Sequence, residues 1–556
     1  MAKKFFFFII PVIAGVLFFI FWKSIEPWQG DIQQDLIIRI RPDQAPMTLN
    51  PLMQFTTETL RLSETGMAIS ECLFDGLFNR KIDANGKTGY EYGIAERLSS
   101  RDGDVFSKNW IIRLRRDCYW NGTSEKVLAS DVIHSYQCID LGGNKSPWRD
   151  RLKRYMAEEP HPFTGMPEEI EFVFNVSLHR VDVMQLLSFK ILPKEFKFKG
   201  RTIRLKPENM GRLNDEDWKI FNKSPIGSGP YVHSPEKSTP ERIVLVSNQR
   251  QKSIENIPRH VIFKEIGDDE LTTALGNTVN FALYIPNHLR SEIEKQPDIK
   301  TIDYTPFYFY ALLMGEKMEE SQREKIYCTI NDAAKSDILE KMGVPKPGNM
   351  DYLNHGPFPW NWEIFVNYNK PPIRPVSGKE TCFPDGDVSP KEEVVLLRNR
   401  GDIRTRELAI AVSDALESQF AINIQDKQPK EFIQIVREKD FELAVIIWEG
   451  FDQGYNIAKL YTEEGNPFNL VHFFEKNDTQ PRLIYFFNIL NTQYPEQDRY
   501  VVAKDISELV YKEKPYLFLF TPPRKAAYMK HIGNIDQYPI HPETFLANIR
   551  KWQMKN

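Results

Sequence analysis

The chain has 556 residues, too long for a single core of ordinary size, so two or three packed lobes are expected. Its 72 basic and 76 acidic residues leave a formal net charge of -4, which excludes a nucleic-acid binder that works by neutralising phosphates. Aromatic residues make up 12% of the chain, with 10 Trp and 22 Tyr, a richness that suits stacked ligand pockets and a large aromatic core equally well.

At the N-terminus, Lys3 and Lys4 precede an uncharged run over residues 5–22, closed by Lys23. As a helix this run spans roughly 27 Å, against about 30 Å for a hydrocarbon core. The basic flank predicts a cytoplasmic N-terminus and an exported bulk. Phe21-Trp22-Lys23-Ser24 offers no small-x-small cleavage pattern and the first cysteine is Cys72, so residues 1–30 read as an uncleaved signal anchor. Residues 31–75 open a first lobe through the strand pattern Leu36-Ile37-Ile38-Arg39-Ile40. Residues 76–206, with short strands and a helix over 180–188, form a smaller inserted subdomain. Residues 207–305 return to the first lobe through strands at Leu245-Val246 and Val261-Ile262-Phe263 and a helix over 271–275.

A strand over 307–313 marks the crossing into a second lobe, residues 306–520, before residues 521–556 return to the first. In the second lobe Val394-Val395-Leu396-Leu397 is followed by a helix over 405–420 with Leu408, Val412 and Leu416 on one face. A strand at Ile422-Asn423-Ile424, a helix over 430–438 and a strand over 441–448 complete a βαβαβ unit, whose crossovers require a parallel sheet. Residues 343–390 carry too many Pro and Gly for regular elements, leaving open a pocket wall or a solvated insertion. Five cysteines, Cys72, Cys118, Cys138, Cys328 and Cys382, show no zinc spacing. Cys118 and Cys138 are the candidate disulfide pair, with buried thiols the preferred reading.

Enzymatic motifs fail. Ser234-Pro235-Glu236-Lys237 has the Ser-x-x-Lys spacing, but no Lys-Thr-Gly follows and Pro235 sits poorly in the helix that chemistry needs. HExxH, GxSxG, P-loop and GxGxxG patterns are absent. Asp102-Gly103-Asp104 and Asp385-Gly386-Asp387 lack the remaining ligands of a calcium loop and read as turns.

In Ser224-Pro225-Ile226-Gly227-Ser228-Gly229-Pro230-Tyr231, the prolines fix φ and Gly227 and Gly229 admit positive φ, so the chain is expected to turn twice. The segment resembles the Asn-Pro-Val-Gly-Thr-Gly-Pro-Tyr stretch of family 5 extracellular solute-binding proteins, the oligopeptide and dipeptide receptors of bacterial ABC importers. Further segments match in the same order: Leu49-Asn50-Pro51-Leu52, Cys72-Leu73-Phe74-Asp75-Gly76-Leu77, Ile111-Ile112-Arg113-Leu114-Arg115-Arg116 with Asn121-Gly122-Thr123, Asp131-Val132, and a helix over 323–338. Trp448-Glu449-Gly450-Phe451-Asp452-Gln453-Gly454-Tyr455 resembles the family's Gly-Trp-x-x-Asp-Tyr segment, one residue out of register.

The resemblance implies an α/β, bilobal periplasmic-binding-protein-like fold (type II, cluster C) with an extra subdomain inserted in the first lobe. It implies a binding protein without catalytic residues, cofactor or metal, acting as a monomer outside the cytoplasmic membrane. Its partners would be a peptide or other small solute and the ABC permease subunits. Asp452 would pair with the ligand α-amine, with Trp448 beside it and Glu449 as the alternative carboxylate. Phe55, Thr56 and Thr57 would supply the first-lobe contact, and Tyr308 and Tyr310 would look into the cleft from the lobe crossing. Arg374 and His355 are candidate cations for a ligand carboxylate. Other classes left open are a nickel complex or sugar on the same fold, a tethered scaffold or chaperone, and a cell-wall hydrolase. The anchor reading predicts that protein from native membranes retains residues 5–22; N-terminal sequencing that begins after Trp22 would overturn it.

Overall fold

The computed structural model describes residues 31–42, 46, 48–53, 64–142, 146, 148–163, 166, 168–212, 214–248, 257–305, 308–344, 352–358, 371, 373, 391–401, 403–449, 479–492, 496–541 and 544–555. Strand β1 (Leu36–Ile40) is buried along its whole length, as expected of an apolar run with neighbours on both edges and both faces. Its one charged member, Arg39, is accommodated by a bond from Nε to the Ile266 carbonyl at 3.0 Å and an ion pair with Asp268. Period two divides the strand between two cores: Leu36, Ile38 and Ile40 join one cluster, Ile37 the other.

After helix α1 (Glu64–Leu73) the chain makes hairpin β2 (Phe78–Ile82) and β3 (Thr88–Tyr92), then β4 (Ala95–Ser100) and β5 (Phe106–Leu114). Helices α2 (Ala129–Leu141) and α3 (Arg149–Tyr155) precede β6 (His161–Pro162), β7 (Glu169–His179) and helix α4 (Arg180–Leu186). A second hairpin, β8 (Glu195–Phe198) and β9 (Arg201–Arg204), follows. Strands β4, β5, β7 and β6 form a four-stranded sheet in that order, with antiparallel pairing throughout. Its buried residues belong to the same continuous cluster as one face of the first-lobe sheet, so the two pack as one body.

The chain then returns through β10 (Tyr231–His233), β11 (Arg242–Ser247), β12 (His260–Glu265), β13 (Phe281–Ala282) and β14 (Ile299–Tyr304). Beyond the second lobe, β20 (Arg524–Met529) completes a seven-stranded sheet of order β10-β11-β12-β1-β13-β20-β14. The second lobe holds β15 (Tyr308–Met314), helices α5 (Glu320–Thr329) and α6 (Asp332–Lys341), β16 (Glu392–Asn399), helix α7 (Ile403–Leu416), β17 (Phe420–Lys427), helix α8 (Pro429–Glu438) and β18 (Leu443–Glu449). Helices α9 (Thr479–Thr492) and α10 (Glu496–Glu513) lead to β19 (Tyr516–Phe520). The five-stranded sheet runs β17-β16-β18-β15-β19, and β16 pairs in parallel with both β17 and β18, as the βαβαβ pattern requires. Strand β15 enters antiparallel to both β18 and β19.

Two expected helices differ. The run over 323–338 is not one helix but the end of α5 and most of α6, because Asn331 caps the second by accepting bonds from the Ala333 and Ala334 amides at 3.0 and 3.1 Å. The helix expected over 405–420 stops at Leu416, and Phe420 begins β17; Leu408, Val412 and Leu416 are fully buried along its inner face. The described cysteines, Cys72, Cys118, Cys138 and Cys328, are free thiols, so Cys118 and Cys138 are not bridged; Cys382 lies outside the described residues. Among the described residues no helix is long and apolar enough to cross a membrane; residues 1–30 lie outside them.

The glycine-rich segment is required for a different reason from the one its sequence suggests. Neither Gly227 nor Gly229 takes a positive φ. Both lie against the C-terminus of α1, where a Cβ at Gly227 would come within 1.9 Å of the Leu73 carbonyl oxygen and one at Gly229 within 2.5 Å of the Leu73 carbonyl carbon. The Gly229 amide donates to the same Leu73 oxygen at 2.9 Å. Asn121 clamps the other side: its amide donates to the Gly227 carbonyl at 2.8 Å, and its Nδ2 to the carbonyls of Gly229 and Tyr231 at 3.0 and 3.1 Å. Three sequence segments far apart in the chain thus meet at one node. Gly227→Ala should cost about 1–3 kcal/mol, the range for overpacking, read as a lower urea midpoint at unchanged slope; an unchanged midpoint would show that α1 can shift freely.

Candidate functional site

Strands β16, β17, β18 and β19 are mutually parallel, and their carboxyl ends lie at the same edge of the sheet as the start of β15. In open α/β sheets ligands bind at that edge. Here the edge coincides with both crossings between the lobes: β14 passes to β15 and β19 to β20 within a few residues, Tyr304 pairing with Arg524 on one side and Tyr310 with Phe520 on the other. The second crossing, Thr521-Pro522-Pro523, has φ fixed twice and lacks two amide donors. Thr521 Oγ1 donates to the Tyr308 carbonyl at 2.8 Å, Asn354 Nδ2 donates to Thr521 Oγ1 at 2.7 Å, and the Tyr308 hydroxyl donates to the Pro522 carbonyl at 2.7 Å.

Charge is concentrated beside these crossings. The Arg524 guanidinium pairs with Glu64 at the start of α1 and lies 5.0 Å from the Tyr308 ring centroid and 5.8 Å from that of Tyr284. Burial works against its charge, but the Glu64 carboxylate and the neighbouring Tyr304 and Tyr308 outweigh it and raise its pKa well above the ordinary arginine value, with Arg404 opposing. Burial likewise raises the Tyr308 phenol far above its usual range, so it acts as a neutral donor. Arg404, in the first turn of α7, brings a second guanidinium into the field of Tyr308 and Arg524. At the adjoining strand ends Arg398 and Asp426 form a two-bonded ion pair.

Trp448 and Glu449 close β18 at this edge, opposite Phe309 and Tyr308 respectively, and Trp448 is half-buried against the second-lobe core. Asp452, Phe55, Thr56, Thr57 and Arg374 lie outside the described residues. Tyr308 and Tyr310, expected to face the cleft, are each 4% exposed. Their rings meet edge to face at 5.5 Å and Tyr310 packs on Phe520 at 5.2 Å, so both build the lobe junction itself. Strand alternation predicted one inward face, but sheet neighbours and helices cover both faces of β15. His355 lies away from this edge, its Nδ1 3.5 Å from Asp332, on a cavity of about 570 Å³ between α5, α6 and α10 that Lys335 and Ser507 also line. Ser234 and Lys237 sit in a turn where Ser234 donates to Glu236, not on a helix, and Gly103 turns with φ +79°. Sequence reading missed Glu64, Arg404 and Arg524, which carry no local motif; only the Pro522-Pro523 pair marks the crossing beside Arg524.

No family model matches the sequence, and neither does any curated protein. Solved structures do match. The ABC transporter substrate binding protein CtaP of Listeria monocytogenes superimposes with TM-score 0.68 at 14% identity, over 95% of this chain and 100% of that one. The oligopeptide-binding protein AppA of Bacillus subtilis, solved with a nonapeptide, gives 0.63 at 17% identity over 96% and 100%. NikA of Brucella suis, solved with Fe(III)-EDTA, gives 0.68 at 16% identity over 94% and 100%. The chain therefore has the bilobal, periplasmic-binding-protein-like α/β fold of substrate-binding proteins, as its sequence resemblance implied. Nearly the whole chain is accounted for by that fold.

Removing the Glu64 charge takes the carboxylate away from the buried Arg524 guanidinium. Glu64→Gln should cost about 3 kcal/mol, the low end for breaking a buried pair because Glu64 is partly exposed. Urea unfolding checks it, and a loss below about 1 kcal/mol would show that the tyrosines alone hold the guanidinium.

Proposed function

We propose that this chain is the extracytoplasmic substrate-binding component of an ABC importer, tethered through residues 1–30. It captures peptides between its lobes and delivers them to permease subunits as a monomer. The observation that carries the reading is the convergence of the second-lobe strand ends on a charged lobe junction, in a fold shared along nearly the whole chain with substrate-binding proteins. The open and closed arrangements are two states, and a ligand shifts the balance by binding the closed one better.

Asp452, three residues beyond the end of β18, is proposed to hold the ligand α-amine, with Glu449 as the alternative carboxylate and Trp448 alongside. Phe55, Thr56 and Thr57 precede α1, whose first residue is Glu64, and are proposed as the first-lobe contact. Arg404 supplies positive charge suited to a ligand carboxylate at the same edge. That charge also favours a second reading, a carboxylate-bearing metal chelate, the kind of ligand NikA holds in its solved complex. Mass spectrometry of the solute that co-purifies with the protein separates the two.

For a peptide, Asp452→Asn should weaken binding of free-amine ligands by about 1.5–3 kcal/mol. Acetylating the peptide amine should weaken the wild type by a similar amount and add little in the mutant, because a shared interaction is lost only once. Thermal stabilisation is the readout, roughly 2.7 kcal/mol at 100 times the dissociation constant. Equal binding of free and acetylated peptides by the wild type would remove Asp452 from the role.

A further inference from the structure

The first lobe and its inserted subdomain share one core, and the second lobe has its own, so contacts between the two bodies away from the crossings are informative. One such contact is ionic and almost fully buried. Helix α4 starts where β7 ends and roots Val183 and Leu186 in the first-lobe cluster, which fixes Asp182 in its first turn. Helix α10 roots Ala503, Ile506 and Val510 in the second-lobe cluster, one turn beyond Arg499. Arg499 Nη2 donates to Asp182 Oδ1 at 2.8 Å, with the two side chains 10% and 8% exposed. Helix α9 also lies against β7, so the contact has width.

We propose that Asp182 and Arg499 form an ionic latch that holds the subdomain against the second lobe and biases the two lobes toward the closed arrangement without ligand. The pair is built to release. Asp182 Oδ2 is buried without a hydrogen-bond partner among the described residues, so the carboxylate is only half satisfied while the latch is shut. Burial raises the Asp182 pKa, and Arg499, His179 and Arg151 act to lower it. Arg151 is itself held over the Trp148 ring at 5.7 Å. On opening, both charges regain water, which offsets the lost attraction and keeps the two states close in free energy.

Small-angle neutron scattering of the full-length chain without ligand, in contrast-matched detergent, tests this with Asp182→Asn, Arg499→Gln, the double variant and Arg499→Lys. A compact chain of this length has a radius of gyration of about 24 Å, and hinge opening should add roughly 1 Å in the first three variants. Arg499→Lys, which keeps the charge, should scatter like the wild type. The double variant removes both members of the pair, so neither is left facing the site of its lost partner, and it remains informative if a single variant misfolds. Wild-type scattering from the double variant overturns the proposal. So does an Arg499→Lys as expanded as Arg499→Gln, because packing rather than charge would then hold the lobes.

Discussion

The paired crossing between the two sheets is the constraint on which the rest of the molecule depends. Two antiparallel strand pairs, β14 with β20 and β15 with β19, continue one another across the gap, so neither lobe can rotate without bending both connections together. Thr521, Asn354 and the Tyr308 hydroxyl tie the connections by hydrogen bonds, and Pro522 and Pro523 remove backbone freedom from one of them. The Glu64–Arg524 pair adds a charge that must stay matched. Such a junction permits a concerted hinge motion and resists sliding or twisting.

At the other end of the first lobe, rigidity is obtained by close backbone approach. The Gly227-Ser228-Gly229 segment lies directly on the end of α1, and Asn121 bonds it to the subdomain. Because α1 begins at Glu64 and ends at this node, the same ten-residue helix connects the charged junction to the subdomain. The first lobe and its subdomain therefore move as one piece, and motion is left to the crossings and to the surface where α4 meets α10.

The chemistry of the junction agrees with its mechanics. The Tyr308 phenol is held neutral by burial, and the Arg524 guanidinium stays charged through its partners. Arg404 and Arg524 place positive charge near the carboxyl ends of the parallel strands, with Glu64 balancing the second.

The sequence by itself determined the lobes' alternating strands and helices, the parallel βαβαβ unit, the inner face of α7 and the strand at the crossing, because hydrophobic period and turn residues are local properties. It also placed Trp448 at the end of a strand, which the structure extends by one residue to Glu449. Tertiary structure alone decided why Gly227 and Gly229 are glycines, since a carbonyl 154 residues earlier sets the limit for the first, and why 323–338 breaks at a cap. It turned Tyr308 and Tyr310 from cleft-facing candidates into the packing of the hinge, because both faces of β15 are covered. The pairs Glu64–Arg524 and Asp182–Arg499 join residues separated by 460 and 317 positions, and no periodicity or motif reports a contact of that range. Long-range charge pairing is fixed by where two folded bodies meet, a property that does not exist until both have formed.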